Sequence, residues 1–223
     1  MTLLAHSRQR PSPPPEILFA GTAILLFVFA LLTDQWIFHH FSFAGVYDRA
    51  WGRMLRLAGY FPVWCLVGLA LVLQDWMPRS WRTLRQASRR GLLLFWSTAL
   101  AGIFAELLKL ALRRERPGLT DGVHVVRPWA DHPWSTAQLG LPSSETAVAF
   151  AAAAILARLF PEARALWYGV ALGCALTRVA SGGHFMSDIV LGAFVGYVVA
   201  SILWRRESRR DHRMHPTHDR SSS

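Results

Sequence analysis

The sequence predicts an all-α, polytopic integral membrane bundle of six helices, and three observations carry that prediction. Six apolar stretches, each about 17–25 residues long and so able to cross a bilayer core, divide the chain. Hydrophobic residues make up 52% of the 223, with a positive mean hydropathy, and gathered into such runs they are too many for one soluble core. The arginines stand beside the runs and form no basic domain of their own. The net charge of +10 therefore reads as a topology signal and not as a nucleic-acid footprint.

Residues 1–15 carry Arg8 and Arg10 followed by Pro11, Pro13, Pro14 and Pro15, a composition that favours an extended, solvated leader. The first span follows from Glu16 to Leu32. No small-residue cleavage site comes after it, so it reads as a retained anchor. From Asp34 to Ala58, aromatics including Trp36, Tyr47 and Trp51 alternate with Arg49, Arg53 and Arg56, which suits a segment lying in the headgroup zone.

The second span covers Tyr60 to Trp76. The loop beyond it holds Arg79, Arg82, Arg85, Arg89 and Arg90 and is the most basic internal stretch. A third span runs from Gly91 to Leu112, and then Arg113 to Leu141 form a long loop punctuated by Pro117, Pro128 and Pro133. Loops of that length in a compact protein are usually functional or disordered. The fourth span runs from Pro142 to Phe160, Pro161 to Arg164 make a tight turn, the fifth span ends at Thr177, and the sixth runs from Asp188 to Trp204. The predicted organisation is thus a leader at 1–15, a six-span domain at 16–204 and a basic tail at 205–223.

Orientation follows from the bias of Lys and Arg towards cytoplasmic loops. The leader, second loop, fourth loop and tail hold fifteen of the 24, and the first and third loops hold seven. Both termini are predicted to be cytoplasmic, with the first, third and fifth loops external. Cys65 and Cys174 lie within apolar runs, far apart, with no disulfide or metal-ligand spacing, and read as core thiols. Gly192 and Gly196 make a Gly-x-x-x-Gly that permits close helix approach, within the bundle in preference to a dimer interface.

The residues able to do chemistry fall in three stretches. The chain uses 23 arginines and a single lysine, Lys109, placed inside an apolar run, where an ionisable side chain is costly unless it pairs or faces water. Glu106 lies one turn earlier as a partner. Arg116 follows Lys109 by seven residues, about two helical turns, so a helix continued that far would put a point charge and a planar guanidinium fork on one face, a natural clamp for phosphate oxygens. Arg113 and Arg114 read as solvated or headgroup-facing. Pro142-Ser143-Ser144-Glu145 opens the fourth span, whose free backbone N–H groups and hydroxyls suit either an anion site or an ordinary helix cap. Between the last two spans, Thr177 to Asp188 crowd a cation (Arg178), a titratable nucleophile (His184) and a carboxylate (Asp188) into one turn.

All three stretches are predicted on the external face, and their order resembles the type 2 phosphatidic acid phosphatase family, relatives of the vanadium haloperoxidases. The family's Lys-x6-Arg-Pro appears as Lys109, Arg116 and Pro117. Its Ser-Arg-x5-His-x3-Asp appears as Thr177, Arg178, His184 and Asp188, with threonine in place of serine. Its Pro-Ser-Gly-His is altered to Pro142, Ser143, Ser144 and Glu145.

The resemblance implies a membrane lipid phosphatase with a lipid phosphate substrate, no cofactor and no metal. It implies that His184 attacks phosphorus to form a phosphohistidine, that Asp188 orients its ring, and that Lys109, Arg116, Arg178, Ser143 and the amides near Ser144 hold the phosphate oxygens. It also implies a general acid where Glu145 stands. Neighbouring cations favour the ionised carboxylate and oppose that role. Three alternatives remain open: burial holds Glu145 protonated, His124 or His132 reaches in from the third loop, or the leaving group needs no proton, as the phosphate of a lipid diphosphate does not. The competing functions are a lipid phosphotransferase and a non-catalytic phospholipid binder. A generic transporter fits less well, because the ionisable residues gather at one face.

Overall fold

The structure is a computed structural model that describes residues 15–76 and 81–214, with side-chain surroundings described for 18–74 and 89–210. Residues 1–14 of the predicted leader, Arg79 of the basic loop and the tail from residue 215 lie outside the described residues. So do the surroundings of Arg82 and Arg85. Seven α-helices occur among the described residues: α1 (Pro15–Phe41), α2 (Ala50–Leu57), α3 (Phe61–Trp76), α4 (Trp81–Leu112), α5 (Ser144–Leu159), α6 (Arg164–Ala180) and α7 (Met186–Met214). Two short 3-10 turns, Pro117–Leu119 and Pro161–Ala163, follow α4 and α5.

Several helices are longer than the apolar runs that announce them. α1 continues past Leu32 to Phe41, so Asp34 belongs to a membrane helix and is buried, which corrects its placement in a headgroup segment. Most of the basic loop is the first turns of α4, and α7 runs past Trp204 to Met214. Polar residues end a hydropathy run without ending a helix, because arginine and glutamine are good helix formers.

Three helical stretches are long and apolar enough to cross a bilayer: Leu18–Phe41, Arg89–Leu112 and Met186–Arg210. A fourth arises if α2 and α3, bent by 61° at their junction, count as one broken span. α5 and α6 have 16 and 17 residues, or about 25 Å of helix each, short of the roughly 30 Å hydrocarbon core.

α5 is the centre of the bundle, packed against α4, α6 and α7. Ala147, Ala149 and Ala151 to Ala154 are all buried, and small side chains let three neighbours approach one helix. Gly192 and Gly196 set the approach of α7. A Cβ on Gly196 would stand 2.2 Å from the Ala147 carbonyl oxygen, and one on Gly192 would stand 2.5 Å from that of Ser143. The Gly-x-x-x-Gly is therefore an internal contact between α5 and α7. Leu25 and Leu32 of α1, 72% and 81% exposed, project outward as lipid-facing residues do.

The long loop is ordered by its arginines. Arg113 ends α4 in the left-handed region (φ 53) and is 1% exposed. Its guanidinium donates to the carbonyls of Arg127, Pro128, Asp131 and Pro133 and lies 4.7 Å from the centre of the Trp129 ring. Arg127 donates to Glu115, to the Ala137 carbonyl and to the Gln138 side chain. Arg113 is thus the scaffold of the loop, correcting its expected solvated position.

Candidate active site

The turn between α6 and α7 is wound around one carbonyl. The Arg178 oxygen accepts the backbone N–H groups of both Gly183 and His184, each at 3.1 Å, while Gly182 takes φ +68. A Cβ on Gly183 would press on the Arg178 guanidinium at 3.3 Å. Five residues between Arg178 and His184 are what this turn requires to place a cation beside the imidazole.

Asp188, in the first turn of α7, fixes that imidazole. Its Oδ2 accepts the Phe185 N–H at 2.9 Å, the reach-back of a helix-capping acid, and stands 3.2 Å from His184 Nδ1. Nδ1 is therefore the protonated nitrogen and Nε2 keeps the lone pair. Burial pushes the His184 pKa down against the pull of Asp188, and the Arg178 and Arg116 cations lower it further, to about 4. The ring is neutral near pH 7, as a nucleophile must be.

Backbone and side-chain bonds stitch the other two stretches to this one. Ser143 donates its N–H to the Asp188 carbonyl at 3.0 Å, and its hydroxyl accepts from Thr146 N as the cap of α5. Lys109, only 3% exposed, donates to Glu106 Oε1 at 2.7 Å and to Ser144 Oγ at 3.0 Å, joining the end of α4 to the start of α5. Gly118 donates to the Gly182 carbonyl at 3.2 Å.

Arg116 and Arg178 complete the cationic set. Arg116 lies beyond the end of α4 in extended backbone and so does not continue the helix face of Lys109 as expected. Among the described residues its side chain bonds the protein only through Nε, at 3.4 Å from the Leu139 carbonyl, and burial together with Arg178 holds its pKa below the usual arginine value. Two such cations beside a helix N-terminus favour a bound anion.

Glu145 leaves this group in a different direction. Its Oε1 lies 3.2 Å from Arg56 Nη2, and its Oε2 lies 3.3 Å from Arg178 Nε, in an ion pair without hydrogen-bond alignment. Arg178 is held instead through Nη1 by the Tyr47 hydroxyl at 2.9 Å, and Tyr47 in turn donates to the Thr177 carbonyl at 3.3 Å. The carboxylate thus sits between two guanidiniums. His124 stands elsewhere, 3.2 Å from Asp34 Oδ2 and edge-on to Phe185. His132 is exposed on the long loop.

Four contributors escape the sequence reading. Arg114, 5% exposed, makes a short hydrogen bond to Asp188 Oδ1 and donates to Ser187 Oγ at 2.6 Å, so it is neither solvated nor headgroup-facing. Asp34 accepts from the Ser187 N–H at 2.9 Å and closely from its hydroxyl. Tyr47 and Arg56 flank Arg178 and Glu145. Of these only Arg114 carried a local signal, since it stands next to Arg113 in the segment that joins Lys109 to Arg116.

The family model described as the PAP2 superfamily matches residues 90–211, which contain all three stretches. A lipid A 1-phosphatase of Rhizobium johnstonii is 33% identical over 108 residues, 48% of this chain and 43% of that protein. A lipid A 1-phosphatase of Rhizobium etli is 33% identical over 121 residues, 52% of this chain and 51% of that protein. A probable diacylglycerol pyrophosphate phosphatase of Schizosaccharomyces pombe is 26% identical, with 53% of this chain and 56% of that protein covered. The chain spans about half the length of the curated relatives it matches. No solved structure matches it. The match runs through the three stretches that hold Lys109, Ser143 and His184, and the chain belongs to the PAP2 superfamily.

Proposed function

We propose that the protein is a membrane lipid phosphatase that cleaves a lipid phosphate or diphosphate through a phosphohistidine at His184. The observation that carries this reading is the placement of His184, tied through Nδ1 to Asp188 with Arg178 and Arg116 bearing on its ring, while Lys109 is bonded to Ser144 at the start of α5. Nε2 gives its lone pair to phosphorus, and the bond to the leaving oxygen breaks with its electron pair on that oxygen. Water then attacks the phosphohistidine and releases phosphate. Lys109, Arg116, Arg178, Ser143 and the first amides of α5 are proposed to hold the equatorial oxygens.

The surroundings of Glu145 favour a lipid diphosphate. Each Glu145 carboxyl oxygen is already engaged by a guanidinium, Arg56 or Arg178, which leaves it poorly placed to donate a proton, and a phosphate leaving group needs none. The two kinds of named relative, lipid A 1-phosphatases and a diacylglycerol pyrophosphate phosphatase, support lipid phosphates as the substrate class. In this reading the six apolar runs each contribute to a bundle in a bacterial inner membrane, both termini are cytoplasmic and the site opens on the periplasmic side. The lipid tail stays in the bilayer. An alcohol in place of water would make the protein a phosphotransferase.

One observation favours a non-catalytic phospholipid binder: Glu145 already occupies Arg178 with an anion. Steady-state release of phosphate from a polyprenyl diphosphate and from a simple lipid monophosphate separates the readings. Preference for the diphosphate supports the first, strong preference for the monophosphate contradicts the leaving-group argument, and release from neither favours the binder.

A further inference from the structure

Asp188, which meets His184 through Oδ2, joins a second buried ionic array through Oδ1. Arg114 Nη2 binds Asp188 Oδ1, and its Nη1 stands 3.6 Å from Asp34 Oδ2. The Ser187 hydroxyl accepts from Arg114 and donates to Asp34, bridging the two. Asp34 Oδ1 also accepts the Ser187 N–H at 2.9 Å, which places a carboxylate at the free amides that begin α7. The side chains of Asp34 and Asp188 are wholly buried, and that of Arg114 is 6% exposed. Phe185 closes the array, its ring centre 4.9 Å from the Arg114 guanidinium.

Buried charges of this kind are costly unless they balance. Arg114 alone would neutralise Asp188 and blunt its pull on the imidazole. When both carboxylates are ionised, two on one guanidinium leave one negative charge over, and that is the charge the His184 ring needs when it becomes cationic. The ring gains a positive charge as Nε2 bonds phosphorus, with Nδ1–H retained and the bonding pair of the departing oxygen leaving with it.

We infer that Asp34, on the first membrane helix, is a positioning residue for the nucleophile, acting through Arg114 and Asp188 to orient the imidazole and to balance the charge it acquires. This rests on the reading of His184 as the nucleophile. It makes α1 part of the working unit, although residue 34 lies outside the matched segment at 90–211.

The test is the pH dependence of kcat/KM for polyprenyl diphosphate, measured on the full chain in detergent or nanodiscs. The charged groups that bear on His184 are Asp188 of α7, Arg178 of α6, Arg116 and Arg114 of the connecting segment, and Asp34 of α1. His124 faces Asp34, and Glu145 faces Arg178. Asp34→Asn keeps the shape and removes the compensating charge, so the protonated ring is less favoured. The acid limb moves down by about 0.5 pH unit or more while kcat falls about tenfold or more. Arg114→Gln removes the opposing cation, and the acid limb moves up.

Opposite shifts are what a merely structural role would not produce. A fall in kcat with the acid limb unmoved, or full activity in Asp34→Asn, overturns the inference. If one variant does not fold, the shift of the other in its stated direction decides. Absence of phosphate release from the wild type would instead overturn the phosphatase reading itself.

Discussion

Glu145 Oε2 stands 3.3 Å from Arg178 Nε, and Arg56 holds the same carboxylate from the other side at 3.2 Å. Both carboxyl oxygens are engaged by guanidiniums, which leaves neither well placed to hand a proton to a leaving oxygen. Glu145→Gln is therefore expected to leave diphosphate hydrolysis undiminished. Glu145→His, which supplies a group able to give a proton, is expected to raise lipid monophosphate turnover by about 100-fold. Phosphate release measured on both substrates checks this, and loss of activity in Glu145→Gln would return Glu145 to proton transfer.

The burial of His184 predicts an unusual acid tolerance. With its pKa held down to about 4, the ring remains neutral through mildly acid conditions, so kcat/KM should stay level from pH 8 to about pH 5 and fall only as pH nears 4. Stability has its own sign. The unfolded chain takes up a proton on this histidine near the ordinary value of 6.5 while the folded one refuses it, so stability is lost as pH falls from 6.5 towards 4. Activity and thermal unfolding measured across pH 4 to 8 test the two separately.

Gly192 and Gly196 bring α7 onto α5, and a side chain at either position meets backbone at 2.5 Å or less. Gly196→Leu is expected to cost about 1–3 kcal/mol by overpacking and to lower Tm by several degrees. Gly192→Val should also lose most of its activity, because the obstructing oxygen belongs to Ser143, whose N–H is bonded to Asp188. A change in oligomeric state with Tm unaltered would place the pair at a dimer interface instead.

Arg113 binds four carbonyls of the long loop from a nearly sealed position. Arg113→Ala leaves those oxygens unpaired and is expected to destabilise the protein by at least about 3 kcal/mol. Limited proteolysis is then expected to cut between residues 113 and 141 in the variant and to leave that segment intact in the wild type.

Legibility in the sequence followed the range of the interaction. α3 lies within a residue of its predicted span, and α5 within two, because apolar runs bounded by proline and serine are local signals. Ser143, Arg178, His184 and Asp188 stood out as candidates because short spacings put them at one helix start and in one turn. The helix expected to carry Lys109 and Arg116 on one face, by contrast, ends at Leu112, and Arg116 follows in extended backbone. Asp34, Arg56 and Tyr47 did not stand out, since each reaches the site from a helix or turn distant in sequence and stands in no motif. The ends of α1, α4 and α7 were misjudged for a different reason: hydropathy marks where the bilayer stops, whereas hydrogen bonding and helix propensity decide where the helix stops. Arg113 and Arg114 looked like headgroup arginines, and only the tertiary fold supplies the carbonyls and carboxylates that make their burial tolerable.

The central claim is that His184 becomes phosphorylated by a lipid phosphate. Purified wild type and His184→Ala, given a panel of lipid phosphates and diphosphates labelled in the terminal phosphate and quenched during turnover, test it most directly. Phosphate release and an acid-labile, base-stable phosphoryl adduct are expected in the wild type, and neither in His184→Ala. Equal release by the two proteins would contradict it.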